Sequence, residues 1–149
     1  MAVRVQSEDF DIGAEIKLMT AERTDIGAIV TFTGTVRGGA AGKSITSMTL
    51  EHYPGMTEAE LTRVESEANA RWPLQASLIV HRIGRLEPGD NIVLVVTASA
   101  HRQAAFAAAE FLMDYLKTRA PFWKKEHGPA GARWIEPTLQ DHADRDRWR

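Results

Sequence analysis

The residues best suited to chemistry lie in one stretch, SAHRQAAFAAAEFLMDYLKTRAPFWKKE, from Ser99 to Glu126. His101 and Arg102 fall in what reads as the first turn of a helix, where the macrodipole is already positive and acidic residues are the usual choice. Free backbone N–H groups, a histidine and an arginine at one helix start make a seat for an anion. Past the far end come Lys117, Arg119, Lys124 and Lys125, with Pro121, Phe122 and Trp123 between them. Lysines crowded together among apolar side chains titrate below their ordinary value of about 10.4, because burial and like charge both disfavour the ammonium form. Lysines of that kind move protons or act as nucleophiles near neutral pH. A plainer reading stands beside this one. Cations in a last turn suit the helix dipole, Arg102 can pair with a carboxylate, and His101 can be a satisfied core histidine.

Other chemistries find little support. The chain has no cysteine, which removes disulfides, thiolate metal sites and a nucleophilic thiol. The histidines at 52, 81, 101, 127 and 142 show neither HxxxH nor HExxH spacing, so no metal is expected. There is no GxxxxGK[ST] loop and no GxSxG elbow. Gly38-Gly39-Ala40-Ala41-Gly42-Lys43 lacks phosphate-loop spacing and reads as a flexible hairpin connection. With 149 residues, 44% hydrophobic and 26% charged, the chain has the make-up of one soluble globular domain, or of two small lobes on a shared core. A net charge of −2 argues against a nucleic-acid binder that works by bulk charge. No run is long enough to span a membrane and MAVRVQSEDF lacks a signal-peptide core, so the expected compartment is the cytoplasm.

The surrounding pattern predicts the elements that must position these groups. The central helix should start at a Ser99 N-cap, bury Ala105, Phe106, Ala109, Leu112, Met113 and Leu116, and stop before Pro121. A strand is expected over 27–37, GAIVTFTGTVR, with Val30, Phe32, Gly34 and Val36 on one face. Arg37 closes that strand at a glycine-rich loop, as a functional group on a rigid mount or as an ordinary exposed arginine. The chain should return as a strand over 45–52. A helix should follow to about Trp72, its start marked by a Thr57-Glu58-Ala59-Glu60 capping box with Met56 and Leu61 as staple. Short strand 2–6, helix 11–22, strands 76–83 and 91–98 and an edge strand near 133–136 complete the order β-α-β-β-α-β-β-α-β. That is an α+β domain with mixed or antiparallel sheet. Phe122 to Glu126 reads as a proline-stiffened loop, 128–131 as a loop, and Asp141–Arg149 as a tail that frays or docks on a partner.

Five segments taken together, GAIVTFTGTVR, TLEHYPGM, HRIGRLEPGD, VTASAHRQAAF and DYLKTRAPFWKKE, strongly resemble the large, catalytic subunit of molybdopterin synthase, the MoaE family. The similarity covers nearly all of residues 5–136, and the SAHR and LK-x₃-APxWKKE segments are specific to it. The resemblance implies an α/β hammerhead-type lobe with additional antiparallel strands in a single compact domain at 1–136, followed by a charged, family-variable tail at 137–149. It implies a cytoplasmic sulfurtransferase of molybdenum cofactor biosynthesis that needs no resident cofactor. As partners it implies a second large subunit and, on each, one small ubiquitin-like subunit whose C-terminal Gly-Gly carries a thiocarboxylate, giving a heterotetramer. That tail donates sulfur to cyclic pyranopterin monophosphate. Carried over position by position, the catalytic lysines are Lys117 and Lys124. The substrate-binding positions are Thr35, Val36, Arg37, His101, Arg102, Lys117, Lys124, Lys125 and Glu126.

The residues fit that chemistry on their own terms. Sulfur transfer without a cysteine needs a sulfur donor carried in by another molecule. A cyclic phosphate needs a cationic seat, which Arg37 and the His101-Arg102 helix start would provide. We assign Lys117 to the thiocarboxylate or an acyl intermediate and Lys124 to acid/base work on the pterin. Two other readings use the same cations: a module that binds a phosphorylated small molecule without chemistry, and a scaffold that only docks a partner's tail.

Overall fold

In the computed structural model, which describes residues 1–39, 44–129 and 131–148, two four-stranded sheets share one core. The first is ordered β1-β4-β6-β2, with β1 at Ala2–Gln6, β2 at Ala28–Thr35, β4 at Leu74–Arg82 and β6 at Asn91–Ser99. It is mixed: β1 runs parallel to β4, while β4–β6 and β6–β2 are antiparallel. The second is ordered β5-β3-β7-β8, all antiparallel, with β3 at Ser47–His52, β5 at Gly84–Leu86, β7 at Phe122–Gly128 and β8 at Gly131–Ile135. The α+β class expected from the sequence is the one observed.

The first sheet is covered on both sides, which is why β6 is apolar nearly throughout. Helices α2 (Met56–Arg71) and α3 (Arg102–Thr118) bury Leu61, Val64, Ala68, Phe111 and Leu112 against Ile79, Val93 and Val95. On the other face α1 (Ile12–Thr20) sets Ile12 and Met19 beside Phe10, Leu78, Val80, Leu94 and Val96. Met48, Leu50 and Leu86 extend the same main core into the second sheet.

Several local expectations are corrected. Ser99 does not cap α3; it ends β6, fully buried, and its Oγ donates to the Pro73 carbonyl at 2.9 Å. His101 is the capping residue by position, without a side-chain bond. The buried face of α3 uses Phe111 and Tyr115, while Phe106 is exposed. Helix α2 starts one residue before Thr57. Its cap is Gly55, at φ +86°, a left-handed value that a side chain disfavours, and the Gly55 N–H donates to Glu58 Oε1 at 3.3 Å. Met56 is exposed, so no staple forms with Leu61. Alternation along β2 breaks at a register shift between Gly34 and Thr35. The segment read as a stiff loop, Phe122 to Glu126, is the strand β7, and the expected 128–131 loop lies between β7 and β8. The tail forms helix α4 (Leu139–Asp146) and lies on α3 of its own chain. Most of the expected hairpin connection after Gly39 lies outside the described residues.

Candidate active site

Helix α3 ends where Arg119 N–H returns to the Tyr115 carbonyl at 2.8 Å and Pro121 forbids another turn. The chain reverses over three residues and enters β7. The reversal is pinned from α2: Thr57 Oγ1 accepts from Tyr53 N–H at 3.1 Å and donates to the Pro121 carbonyl at 3.3 Å. Lys117, in the last turn of α3, and Lys124, in β7, therefore come to one place. Strand pleating aims Phe122, Lys124 and Glu126 inward, and Trp123, Lys125 and His127 outward. Lys124 lies between Leu50 of β3 and Ile135 of β8 in the ladder.

Both lysines open onto a cavity of about 340 Å³ between the two sheets. Its polar wall is made by Thr35, Arg37, His81, Lys117, Thr118, Lys124, Glu136, Thr138 and Asp141. Phe32, Met113, Leu116 and Phe122 supply much of the apolar wall. Arg37 is held at the rim because its neighbour Val36, buried, is clamped to the β5–β6 turn: Val36 N–H donates to the Asp90 carbonyl at 2.9 Å and its carbonyl accepts from Gly89 N–H at 2.8 Å. From the other side the segment Ile135–Asp141 closes the cavity. It is fixed by Thr138 and Asp141, each accepting from the other's backbone N–H, at 2.9 and 3.0 Å.

The electrostatics are unusual for lysine. Burial, and then the neighbouring Lys117 ammonium, push Lys124 down from 10.5 to about 8, with Asp141 and Glu126 opposing the shift. About a tenth of it is then uncharged at pH 7, against a few ten-thousandths of a free lysine. His81 is held neutral, pushed down to about 3, chiefly by burial and further by Lys124, Lys117 and His52. The cavity thus combines a permanently charged guanidinium, a lysine poised to exchange protons, a second lysine beside it and a neutral imidazole. It is equipped to bind an anion and to move a proton in the same place.

Not all of the residues singled out by spacing and resemblance gather here. Thr35, Arg37, Lys117 and Lys124 do, with Val36 behind Arg37 as its anchor. Glu126 points inward along β7, ion-paired with Arg133 at 3.5 Å, and contributes charge to Lys124. Lys125 faces outward, its Nζ 5.2 Å from the Trp134 ring centroid. His101 and Arg102 are exposed at the opposite end of α3, roughly 22 Å from Lys117 along the helix axis. Two wall residues, His81 and Asp141, are not evident from the sequence. A lone histidine in an apolar strand gives no signal of a cavity, whereas Thr138-x-x-Asp141 spells a helix cap and could have flagged an ordered tail. Among the described residues, no three His, Asp or Glu side chains come together as a metal site.

Fold and site together define an α+β enzyme domain whose cavity holds a paired-lysine centre. A family model described as "MoaE protein" matches residues 5–119. The molybdopterin synthase catalytic subunit of Pseudomonas aeruginosa is 55% identical over 148 residues, 99% of each chain. Among solved structures, the molybdopterin biosynthesis MoaE protein from Burkholderia ambifaria superposes with a TM-score of 0.85 at 50% identity, over 99% of this chain and 98% of that one. A complex of subunits 1 and 2 of the molybdopterin-converting factor from Helicobacter pylori shares the fold, with a TM-score of 0.72 at 18% identity over 93% and 91%. The chain belongs to the MoaE family, the catalytic subunits of molybdopterin synthase.

Proposed function

We propose that this chain converts cyclic pyranopterin monophosphate to molybdopterin, taking sulfur from the C-terminal thiocarboxylate of a small ubiquitin-like subunit. The observation that carries the reading is the cavity itself. A lysine brought near neutrality stands beside a second lysine and an arginine, in a chain with no thiol of its own. In this reading Arg37 receives the phosphate. The donor's sulfur bonds to a substrate carbon as a carbon–oxygen bond breaks, and Lys124 delivers the proton that the departing oxygen takes up. Water then cleaves the acyl–sulfur bond, leaving the spent donor as a carboxylate. Lys117 pairs with the anionic tail, or holds its acyl group, while this happens.

Residues 1–136 carry the catalytic domain in this proposal, and residues 137–149 follow as a charged tail, of which Pro137, Thr138 and Asp141 line the cavity. The small subunit is proposed by the family relation and by the two-subunit complex of the Helicobacter pylori relative. A homodimer of large subunits, and with it a heterotetramer, is proposed because β1, β2, β5 and β8 are the end strands of their sheets, where another chain can pair. A second copy would also let His101 and Arg102 reach a cavity that lies at the other end of their own helix. Among the described residues no helix is long and apolar enough to cross a membrane; a cytoplasmic location is proposed on the family relation alone.

One assay separates this reading from a binding module or a docking scaffold. Thiocarboxylated small subunit and the cyclic pterin are mixed with the purified chain, and dithiolene formation is followed. Turnover supports the enzyme; pterin binding without turnover supports the module; partner binding without pterin affinity supports the scaffold.

A further inference from the structure

His81 sits in the middle of the cavity wall, yet neither lysine's role uses it. It belongs to β4, is 5% exposed, and faces a cavity whose cations, Arg37, Lys117 and Lys124, can only donate, and whose carboxylates, Glu136 and Asp141, lie on the closing segment. Its ring is fixed twice. Phe122 stacks on it, with centroids 3.7 Å apart and planes 17° from parallel. Nδ1 lies 2.8 Å from the Arg82 carbonyl. A carbonyl can only accept, so Nδ1 carries the proton, and the neutral ring keeps its lone pair on Nε2. With one edge tied to backbone and one face covered by Phe122, what the ring offers to the cavity is the edge that carries Nε2. Among the described residues none donates a hydrogen bond to that nitrogen. Phe122 is two residues before Lys124 on the same face of β7, so the acceptor is positioned beside the proposed acid/base group.

We infer that His81 is a ligand-binding residue of this cavity, its Nε2 accepting a hydrogen bond from an N–H of the incoming ligand. Arg37, Lys117 and Lys124 can satisfy a phosphate, a carboxylate or a thiocarboxylate, but lysine and arginine accept nothing. A ligand that also carries N–H groups needs an acceptor, and His81 offers an uncharged one on the β4 wall, whereas the cavity's carboxylates are Glu136 and Asp141, the latter already accepting from Thr138 N–H. His81 is suited to this because burial first, and then the two lysines, keep it unprotonated in the neutral range. For the same reason it is too weak a base to take a proton in the reaction. The inference rests on the function proposed above, in which two ligands carry such a donor: the pterin ring and the peptide backbone of the small subunit's Gly-Gly tail.

Two variants and one spectrum test it. His81→Phe keeps the stack on Phe122 and removes the acceptor, whereas His81→Gln returns an acceptor near the position of Nε2. His81→Phe should raise the KM for one of the two ligands by roughly five- to tenfold, with kcat within about threefold, and His81→Gln should recover most of that loss. A rise confined to the pterin assigns the contact to the ring; a rise confined to the small subunit assigns it to the tail. On the unmodified protein, ¹⁵N-histidine NMR should show an unprotonated Nε2 whose resonance moves when either the cyclic pterin or the small subunit with an unmodified carboxylate terminus is added. This arm needs neither a folded variant nor turnover. Absence of turnover in the wild-type protein would defeat the proposed function and still leave the Nε2 signal to decide the contact. An Nε2 resonance that is protonated, or that neither ligand moves, overturns the inference, as does a folded His81→Phe with both KM values unchanged.

Discussion

Lys124 and Lys117 put two ammonium groups against each other on the wall of one cavity, one from β7 and the other from the last turn of α3. Such a pair is unfavourable unless one member gives up its proton, and the more deeply set Lys124 is the member that yields. Removing the neighbouring charge should therefore restore part of its basicity. In Lys117→Ala, Lys124 should titrate above 8 but short of 10.5, since the burial that contributes most is retained. Lysine side-chain NMR over a pH series measures this directly. An unchanged midpoint would mean that the two side chains do not sense each other.

The same groups set two pH windows for stability. Lys124 titrates near 8 in the fold and near 10.5 when unfolded, so between those values the unfolded chain binds more protons. Stability should rise as pH climbs through that window, by up to about 3 kcal/mol, and the rise should vanish in Lys124→Met. His81 is neutral in the fold down to about 3, against 6.5 unfolded. Its contribution is complete above 6.5 and is lost as pH falls toward 3, about 5 kcal/mol at the limit. Denaturant titrations at a series of pH values, with His81→Gln as control, give both slopes.

Helix α4 should prove a removable wall. Arg147 pairs with Glu110 and, at 3.0 Å, with Asp114, and Trp148 Nε1 donates to Asp114 at 2.6 Å. The Trp148 ring meets Trp72 and Phe111 edge-on at 5.6 Å from each. Trp148→Ala should cost about 2–3 kcal/mol and speed hydrogen exchange across 139–146 more than in the sheets. Because Asp141 favours the charged form of Lys124, loosening α4 should also move the Lys124 titration lower. A Lys124 midpoint that rises instead would show that water entry outweighs the lost carboxylate.

Gly27 marks a close approach of backbones. A Cβ there would stand 2.2 Å from the Ala100 carbonyl oxygen, at the edge where β2 meets the end of β6. Gly27→Ala should lower the melting temperature by several degrees, corresponding to about 2 kcal/mol, and should disturb the adjacent His101-Arg102 turn before the lysine cavity. Heteronuclear shift mapping of the variant would locate the disturbance.

The sequence made the apolar framework legible and the cavity much less so. Strand β6 and helices α2 and α3 stand out because burial on a sheet or one helix face leaves a periodic apolar record. Strand β7 hid behind its own function. Lys124 and Glu126 occupy the inward positions where a strand shows apolar residues, since at that point the inward face borders a cavity instead of the core. His81 was concealed in the opposite way, as one polar residue among apolar neighbours whose cavity exists only once β7 has folded over β4. The tail looked like mixed charge because Arg147 finds its partners, Glu110 and Asp114, on α3, which local spacing cannot reveal. The separation of His101-Arg102 from the lysines follows from helix length alone and is implicit in the sequence.

In the proposed reaction Lys124 moves a proton and does not merely supply charge. Lys124→Arg tests this most directly, because arginine keeps the positive charge and cannot deprotonate in a protein. Single-turnover dithiolene formation should be measured with thiocarboxylated small subunit and cyclic pterin, alongside pterin affinity. The rate should fall by at least ~10²-fold, with affinity kept within a few-fold. Turnover by a folded Lys124→Arg protein at the wild-type rate would contradict this role.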